Sequence, residues 1–158
     1  MPIIYNGTTI KKLIYNGVTV HTCIYNGVTV FTAEEEITPT WSLSGSGWTD
    51  TTWGSWSVGR DEGDLLIGSA QTVINTNGHS ILRFTPTGTG WNTGRSRGAI
   101  RIYINGSEKF SLGAEQTRTA PVDIDISAYS GNITVNVDLQ ADWGYTDMYT
   151  DTRLMLIN

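Results

Sequence analysis

His21 and His79 are the only imidazoles in the chain, and they stand far apart in sequence. A histidine-centred acid–base pair needs both partners within hydrogen-bond reach. His21 lies inside an N-terminal repeat and His79 begins a strand-like run, so both read as ordinary surface positions. Two carboxylates alone can hydrolyse a glycosidic bond, and Asp142 with Asp147, or Asp61 with Asp64, could supply them. Such chemistry needs a deep cleft, for which a small β-domain has little room, so no enzyme activity is expected. The same carboxylates, Asp61-Glu62-Gly63-Asp64 and Asp142 with Asp147, could offer oxygen ligands to calcium. Neither has the regular calcium-loop spacing, and a solvated loop is the better reading; no cofactor is expected. Cys23 is the single cysteine, which excludes an intrachain disulfide and a cysteine-based zinc site.

Aromatic residues suggest binding instead. Trp48, Trp53, Trp56, Trp91, Trp143, Tyr145 and Tyr149 stand among Gly, Thr, Asn and Asp in irregular stretches. A flat ring in polar surroundings can stack on the apolar face of a sugar while neighbours bond its hydroxyls. Trp41 and Trp56 read as core plugs, because sandwiches bury one or two indoles between their sheets. Trp91, Arg95, Asp142, Trp143 and Tyr145 are the expected ligand-binding set.

What must position these residues is a β-framework. Charged residues make up 16% of the 158, glycine is abundant at 18, and helix formers are sparse, which favours strands and turns. Ile100, Ile102 and Ile104 alternate with Arg101 and Tyr103; Asn105-Gly106 then turns the chain into Lys109–Leu112. Val122, Ile124 and Ile126 alternate with Asp123 and Asp125, and Ile133 to Leu139 alternates likewise. Such alternation marks antiparallel strands with one buried and one wet face. Runs 65–74, 80–85 and 153–157 complete seven or eight strands. Strand parity puts the short connections 75–78, 105–107 and 128–130 at one end, and the longer ones 45–64, 86–98, 114–119 and 141–150 at the other. Long loops gathered at one end of a rigid sandwich are a usual place for a binding surface.

The chain opens with a decapeptide repeated three times: Ile4-Tyr5-Asn6-Gly7-Thr8-Thr9-Ile10, Ile14-Tyr15-Asn16-Gly17-Val18-Thr19-Val20 and Ile24-Tyr25-Asn26-Gly27-Val28-Thr29-Val30. Each Asn-Gly suits a type I′ hairpin turn, which pairs Tyr15 with Val18, Ile14 with Thr19 and Leu13 with Val20. Residues 1–33 then form a small meander whose apolar face, including Leu13, Tyr15, Val18 and Val20, has nothing of its own to pack on. Tyr5, Tyr15 and Tyr25 with Leu13, Val18 and Val20 are therefore the expected assembly residues, although folding back on the sandwich is the plainer alternative. Residues 34–40, with three glutamates and a proline, read as a linker, and 41–158 as the sandwich.

The formal net charge is −5 with a pI near 4.8, which opposes binding to a phosphate backbone. No run approaches a membrane span, and the N-terminus has no signal-peptide pattern. Nucleic-acid binding and membrane insertion are not expected, and synthesis in the cytoplasm is.

The stretch Val122-Asp123-Ile124-Asp125-Ile126-Ser127-Ala128-Tyr129-Ser130-Gly131-Asn132-Ile133-Thr134-Val135, with the hairpin around Asn105-Gly106, resembles the galactose-binding-like jelly-roll families. That resemblance implies an antiparallel jelly-roll β-sandwich and a ligand that is a glycan, a protein or none. The Ile-Tyr-Asn-Gly-x-Thr-Val repeat resembles segments of bacteriophage tail and other virion structural proteins. It implies a virion surface protein (tail, fibre or baseplate) made in the host cytoplasm. Its repeats would hold other virion proteins, its sandwich would face host-surface glycan, and a homo-oligomer, a trimer by family expectation, would result. A purely structural capsid or tail decoration protein and a free carbohydrate-binding module are the alternatives.

Overall fold

A computed structural model describes the chain from Glu34 onward, apart from 54, 61–64, 95–96, 142–143, 149–151 and 158, with the side chains of 60 and 144–148 also outside it. Before Glu34 it describes the backbone of six strands and two turn residues, and few side chains. Every strand pair is antiparallel, and no helix occurs among the described residues. The chain is an all-β protein with a sandwich at its centre.

The repeats fold as three hairpins: β1 (Ile4–Tyr5) with β2 (Thr8–Thr9), β3 (Leu13–Tyr15) with β4 (Val18–Val20), and β5 (Thr22–Tyr25) with β6 (Val28–Thr32). The register of the second is the expected one, Leu13↔Val20, Ile14↔Thr19 and Tyr15↔Val18. Asn16 and Asn26 take φ of 49° and 50°, the left-handed conformation that a type I′ turn demands. Among the described residues no ladder joins one hairpin to the next. The described strands thus form three two-stranded units, and the residues that would join them into a meander lie outside the described ones. A ten-residue period leaves two to five residues per strand once the turns are made.

The sandwich begins earlier than expected. Glu35–Ile37 forms β7, and the chain then runs through β8 (Ser42–Gly45), β9 (Trp48–Asp50), β10 (Ser57–Arg60), β11 (Leu66–Asn75), β12 (Ile81–Thr85), β13 (Trp91–Asn92) and β14 (Ala99–Ile104). β15 (Ser107–Leu112), β16 (Thr117–Arg118), β17 (Val122–Asp125), β18 (Asn132–Ala141), β19 (Gly144–Met148) and β20 (Arg153–Ile157) follow. One sheet has the order β15-β14-β18-β11-β8. Two others, β17-β12-β20-β7 and β16-β13-β19-β10-β9, are halves of one broken layer. The successive pairs β12/β13, β16/β17 and β19/β20 hold the same neighbours on both sides of the break.

The linker reading of 34–40 is corrected by this topology. β7 pairs with β20 in the register Ile37↔Leu154, Glu36↔Met155 and Glu35↔Leu156. The charge run hid a strand because it lies at a sheet edge, where Glu34 and Glu36 are exposed while Glu35 and Ile37 are half-buried. The long-loop reading is corrected as well: every strand of the sheet β16-β13-β19-β10-β9 comes from a segment taken as loop. These strands are two to five residues long and rich in Gly, Thr, Trp and Asp, too short for a period of two to stand out.

The core lies between the layers. Ile100, Ile102, Ile104, Val135, Val137 and Leu139 come from one side, and Leu82, Phe84, Val122, Ile124, Leu154 and Leu156 from the other, all buried in one cluster. The Asn105-Gly106 turn is tied to β18 by a reciprocal pair: Asn105 N–H donates to Thr134 O at 2.9 Å, and Thr134 N–H donates to Asn105 Oδ1 at 2.8 Å.

Candidate functional site

The segment from Trp41 to Trp56 explains where the aromatic residues go. Gly45 and Gly47 take φ of 87° and 79°, and a Cβ on Gly45 would lie 2.1 Å from Ile67 O. The reversal made there lays Trp48 against Gly68, whose missing Cβ is its seat: one there would lie 2.7 Å from Trp48 Cε2. Thr52 N–H then donates to Asp50 Oδ1 at 2.8 Å and Ser55 N–H to Thr52 O at 2.9 Å, a turn that brings Trp53 and Trp56 beside Trp41. Trp56 is 1% exposed. Its ring centroid lies 4.8 Å from that of Trp41, 5.0 Å from Trp53 and 6.3 Å from Trp48, all edge-to-face. Trp41, Trp48 and Trp53 are half-buried and pack on the core. The expectation that Trp41 and Trp56 serve as core plugs fits this arrangement.

Trp53 is half-buried, its ring centroid 5.1 Å from that of Trp41 and its plane tilted 30° to it. With Glu36, Ile37, Thr38, Arg153 and Leu154 it lines a groove of about 330 Å³ where β7 runs along β20. That volume is at the low end of small-ligand sites. The lining is mostly polar, with part of the Trp53 indole at its border. Glu36 Oε1 and Arg153 Nε stand 4.0 Å apart, and both side chains are more than half exposed. An exposed pair at that distance is weakly held, so carboxylate and guanidinium can turn to a ligand at little cost. The groove therefore offers part of an indole ring, an acceptor, a forked donor and the Thr38 hydroxyl within one short edge.

Trp91 must be withdrawn from the ligand-binding set. It is fully buried, its Nε1 donates to Thr152 Oγ1 at 3.1 Å, and its ring packs edge-on to Phe84 and Phe110 at 6.1 and 5.9 Å. A ring closed in on all sides cannot stack on a ligand. Arg95, Asp142 and Trp143 lie outside the described residues, as do Asp61, Asp64 and His21. Tyr145 sits on β19 opposite Gly59, with its side chain outside the description. Asp147 is opposite Ser57 on the same strand. His79 is not at the surface: it is 2% exposed, with Nδ1 3.0 Å from Thr76 O. Among the assembly residues Tyr15 is 71% exposed and Val20 half-buried; the side chains of Tyr5, Leu13, Val18 and Tyr25 are not described. Among the described residues no three His, Cys, Asp or Glu side chains are grouped to hold a metal ion.

Glu36, Thr38 and Arg153 escaped the sequence reading. One signal was present: Ile37, Pro39 and Trp41 alternate with Glu36, Thr38 and Thr40, and the burial found in the structure follows the same alternation. The Glu-Glu-Ile-Thr-Pro-Thr-Trp run has an edge strand's period of two beneath its charges.

No protein-family model and no curated protein matches this sequence. Seven solved chains match in structure. One is described as the structure of the CBM51-2 and INT domains from Clostridium perfringens ZmpB. It is 17% identical with a TM-score of 0.32, over 58% of this chain and 22% of that chain. This chain thus spans about a fifth of that protein's length.

Proposed function

We propose that this protein is a non-catalytic, glycan-binding β-sandwich displayed on a virion surface, with its N-terminal hairpins as the anchor. The observation that carries the glycan reading is the Trp53 groove, a half-buried indole bordering Glu36, Thr38 and Arg153. A pyranose offers one apolar face and a rim of hydroxyls. The indole takes the first, and a carboxylate, a guanidinium and a hydroxyl take the second. Affinity at one such groove is modest, and multiple display would raise it. The anchor reading is supported by the Tyr-Asn-Gly repeat and its likeness to tail segments, together with an exposed aromatic, Tyr15, on the second hairpin.

The test is retention on an array of neutral and acidic glycans. The full chain should bind at least one class, and Trp53→Ala should lose that binding. Arg153→Gln, which leaves the packing of Trp53 on Trp41 and Trp56 intact, should weaken it while keeping the melting temperature within a few degrees. A folded Trp53→Ala chain that binds as before would remove the groove from the account.

A further inference from the structure

Asn77 and Asn105 occupy the same place in two turns, yet their side chains are used in opposite ways. Each precedes a glycine and takes φ of 49°, with Gly78 and Gly106 at 77° and 79°. At Asn105 the side chain is an acceptor, and its Oδ1 takes the Thr134 N–H at 2.8 Å. At Asn77 it is a donor, and its Nδ2 gives a hydrogen to Glu35 Oε2 at 3.0 Å. Neither amide can be turned round, because a backbone N–H only donates and an ionised carboxylate only accepts. An aspartate could therefore replace Asn105 with its bond intact. At position 77 it would set one carboxylate against another.

Glu35 matters because of where it lies. It begins β7, an edge strand that follows the repeats and pairs with β20 over Glu35, Glu36 and Ile37. Side chains add two ties: Asn77 to Glu35, and the 4.0 Å approach of Glu36 to Arg153. β7 carries Glu36 and leads into Thr38, two polar groups of the Trp53 groove. A turn 42 residues away in sequence thus helps to hold the strand that builds the groove.

The Asn77-Gly78 step is also chemically labile. Asparagine side chains are lost by attack of the next residue's backbone nitrogen, and a following glycine has no Cβ to hinder it. A Cβ on Gly78 would meet nothing within 4 Å, and Asn77 is exposed to water. The turn is closed by His79 N–H, which donates to Thr76 O at 2.9 Å, and not by the Gly78 nitrogen. Asn105 is more firmly pinned, since Thr134 of the interior strand β18 holds both its Oδ1 and its N–H.

We infer that Asn77 is a site of spontaneous deamidation, and that its conversion loosens β7. The Gly78 nitrogen gives its proton to solvent and bonds to Asn77 Cγ. The bond from Cγ to Nδ2 breaks, and the amide nitrogen takes up a proton and leaves as ammonia. One water then opens the cyclic imide at either carbonyl, giving aspartate or isoaspartate with no change of oxidation state. The donor to Glu35 is lost, and a new negative charge stands beside the Glu35 carboxylate. Any effect on the groove rests on the glycan-binding reading, whereas the modification and the loosening do not.

The experiment ages the full chain in mildly alkaline buffer and maps its peptides by mass spectrometry that separates aspartate from isoaspartate. Asn77 should convert ahead of Asn105, with the melting temperature falling in step. Asn77→Asp should lower that temperature by roughly 2–6 °C, and Asn105→Asp by less. Adding Glu35→Gln to Asn77→Asp should restore most of the loss, which separates charge repulsion from damage to the turn. The inference is overturned if Asn77 stays intact while Asn105 converts, if Asn77→Asp melts with the parent, or if Glu35→Gln restores nothing. Glycan retention is read separately. A parent chain retained by no glycan removes the Trp53 groove and leaves the mass and melting results to decide the modification.

Discussion

Trp91 Nε1 donates to Thr152 Oγ1 at 3.1 Å, and neither residue is reached by solvent to any useful extent. The bond spans the break in the second layer: Trp91 opens β13 and Thr152 immediately precedes β20. It ties the short-stranded half of that layer to the long-stranded half, and it accounts for a polar residue at a core position. Thr152→Val should leave a buried indole donor unpaired, at a cost of about 1–3 kcal/mol. Trp91→Ala should cost about 3–5 kcal/mol through the cavity it leaves. Urea denaturation of the two variants measures both. If Thr152→Val is as stable as the parent, the bond does not matter to the fold.

Gly68 bears on the aromatic cluster in the same way. A Cβ there would lie 2.6 Å from Val58 Cγ2 and 2.7 Å from Trp48 Cε2. Gly68→Ala should therefore push Trp48 off its seat, destabilise the fold by about 1–3 kcal/mol and weaken the near-ultraviolet circular dichroism of the indoles. An unchanged spectrum would show that Trp48 has room to move.

The pH dependence of stability has a named source. Arg83 Nε and Nη2 donate to Asp123 Oδ1 and Oδ2, both at 2.6 Å, and this holds the Asp123 carboxyl below its ordinary value. The Asp125 carboxyl is lowered too, by hydrogen bonds from Ser127. A carboxyl whose folded value is depressed stabilises the protein fully above its unfolded value, about 4, and loses that effect as pH falls through the folded value. The pair is about 34% and 43% exposed, so its contribution is at most about 1 kcal/mol. Stability should decline below about pH 4, and Arg83→Gln should flatten part of that decline. A parallel curve for Arg83→Gln would assign the acid sensitivity to other groups.

The hairpins make a prediction about mass. Two-stranded units of this length are marginal alone, and association of chains would cover them. The full chain should be an oligomer by light scattering, and a chain beginning at Glu34 a folded monomer. The cut belongs before β7: removing Glu35–Ile37 as well would strip an edge strand from β20 and should lower the melting temperature further. Two monomers would exclude self-association through the repeats and leave attachment to another protein.

Much of the framework could be read from residue order. The repeat hairpins, the Asn105-Gly106 turn and the seven longer strands follow from turn chemistry and a period of two. The three short turns also gather as parity requires, with Thr76 N–H donating to Gly131 O at 2.8 Å. The second half of the other layer was illegible, because strands such as Trp91–Asn92 are too short to carry a pattern. The same blindness misplaced Trp91: a tryptophan among Gly, Thr and Asn looks like a loop residue until its strand partner, Met148, is known. Glu36 was hidden for a different reason, since a charge run reads as solvated even when alternate residues are half-buried. The groove depends on long-range pairing of β7 with β20, across most of the chain, and no local signal reports that.

The central claim is that Trp53 stacks on a bound saccharide. It is tested most directly by the indole N–H resonances of the six tryptophans, followed as the glycan retained best on the array is added. The account predicts that the Trp53 signal moves with the backbone amides of Glu36, Thr38, Arg153 and Leu154, while the buried Trp91 signal stays in place. A shifted Trp53 signal abolished by Glu36→Gln with Arg153→Gln would join ring and polar rim in one site. If the glycan shifts other residues and leaves Trp53 and Glu36–Thr38 unmoved, the groove is not where the saccharide binds, and the claim is wrong.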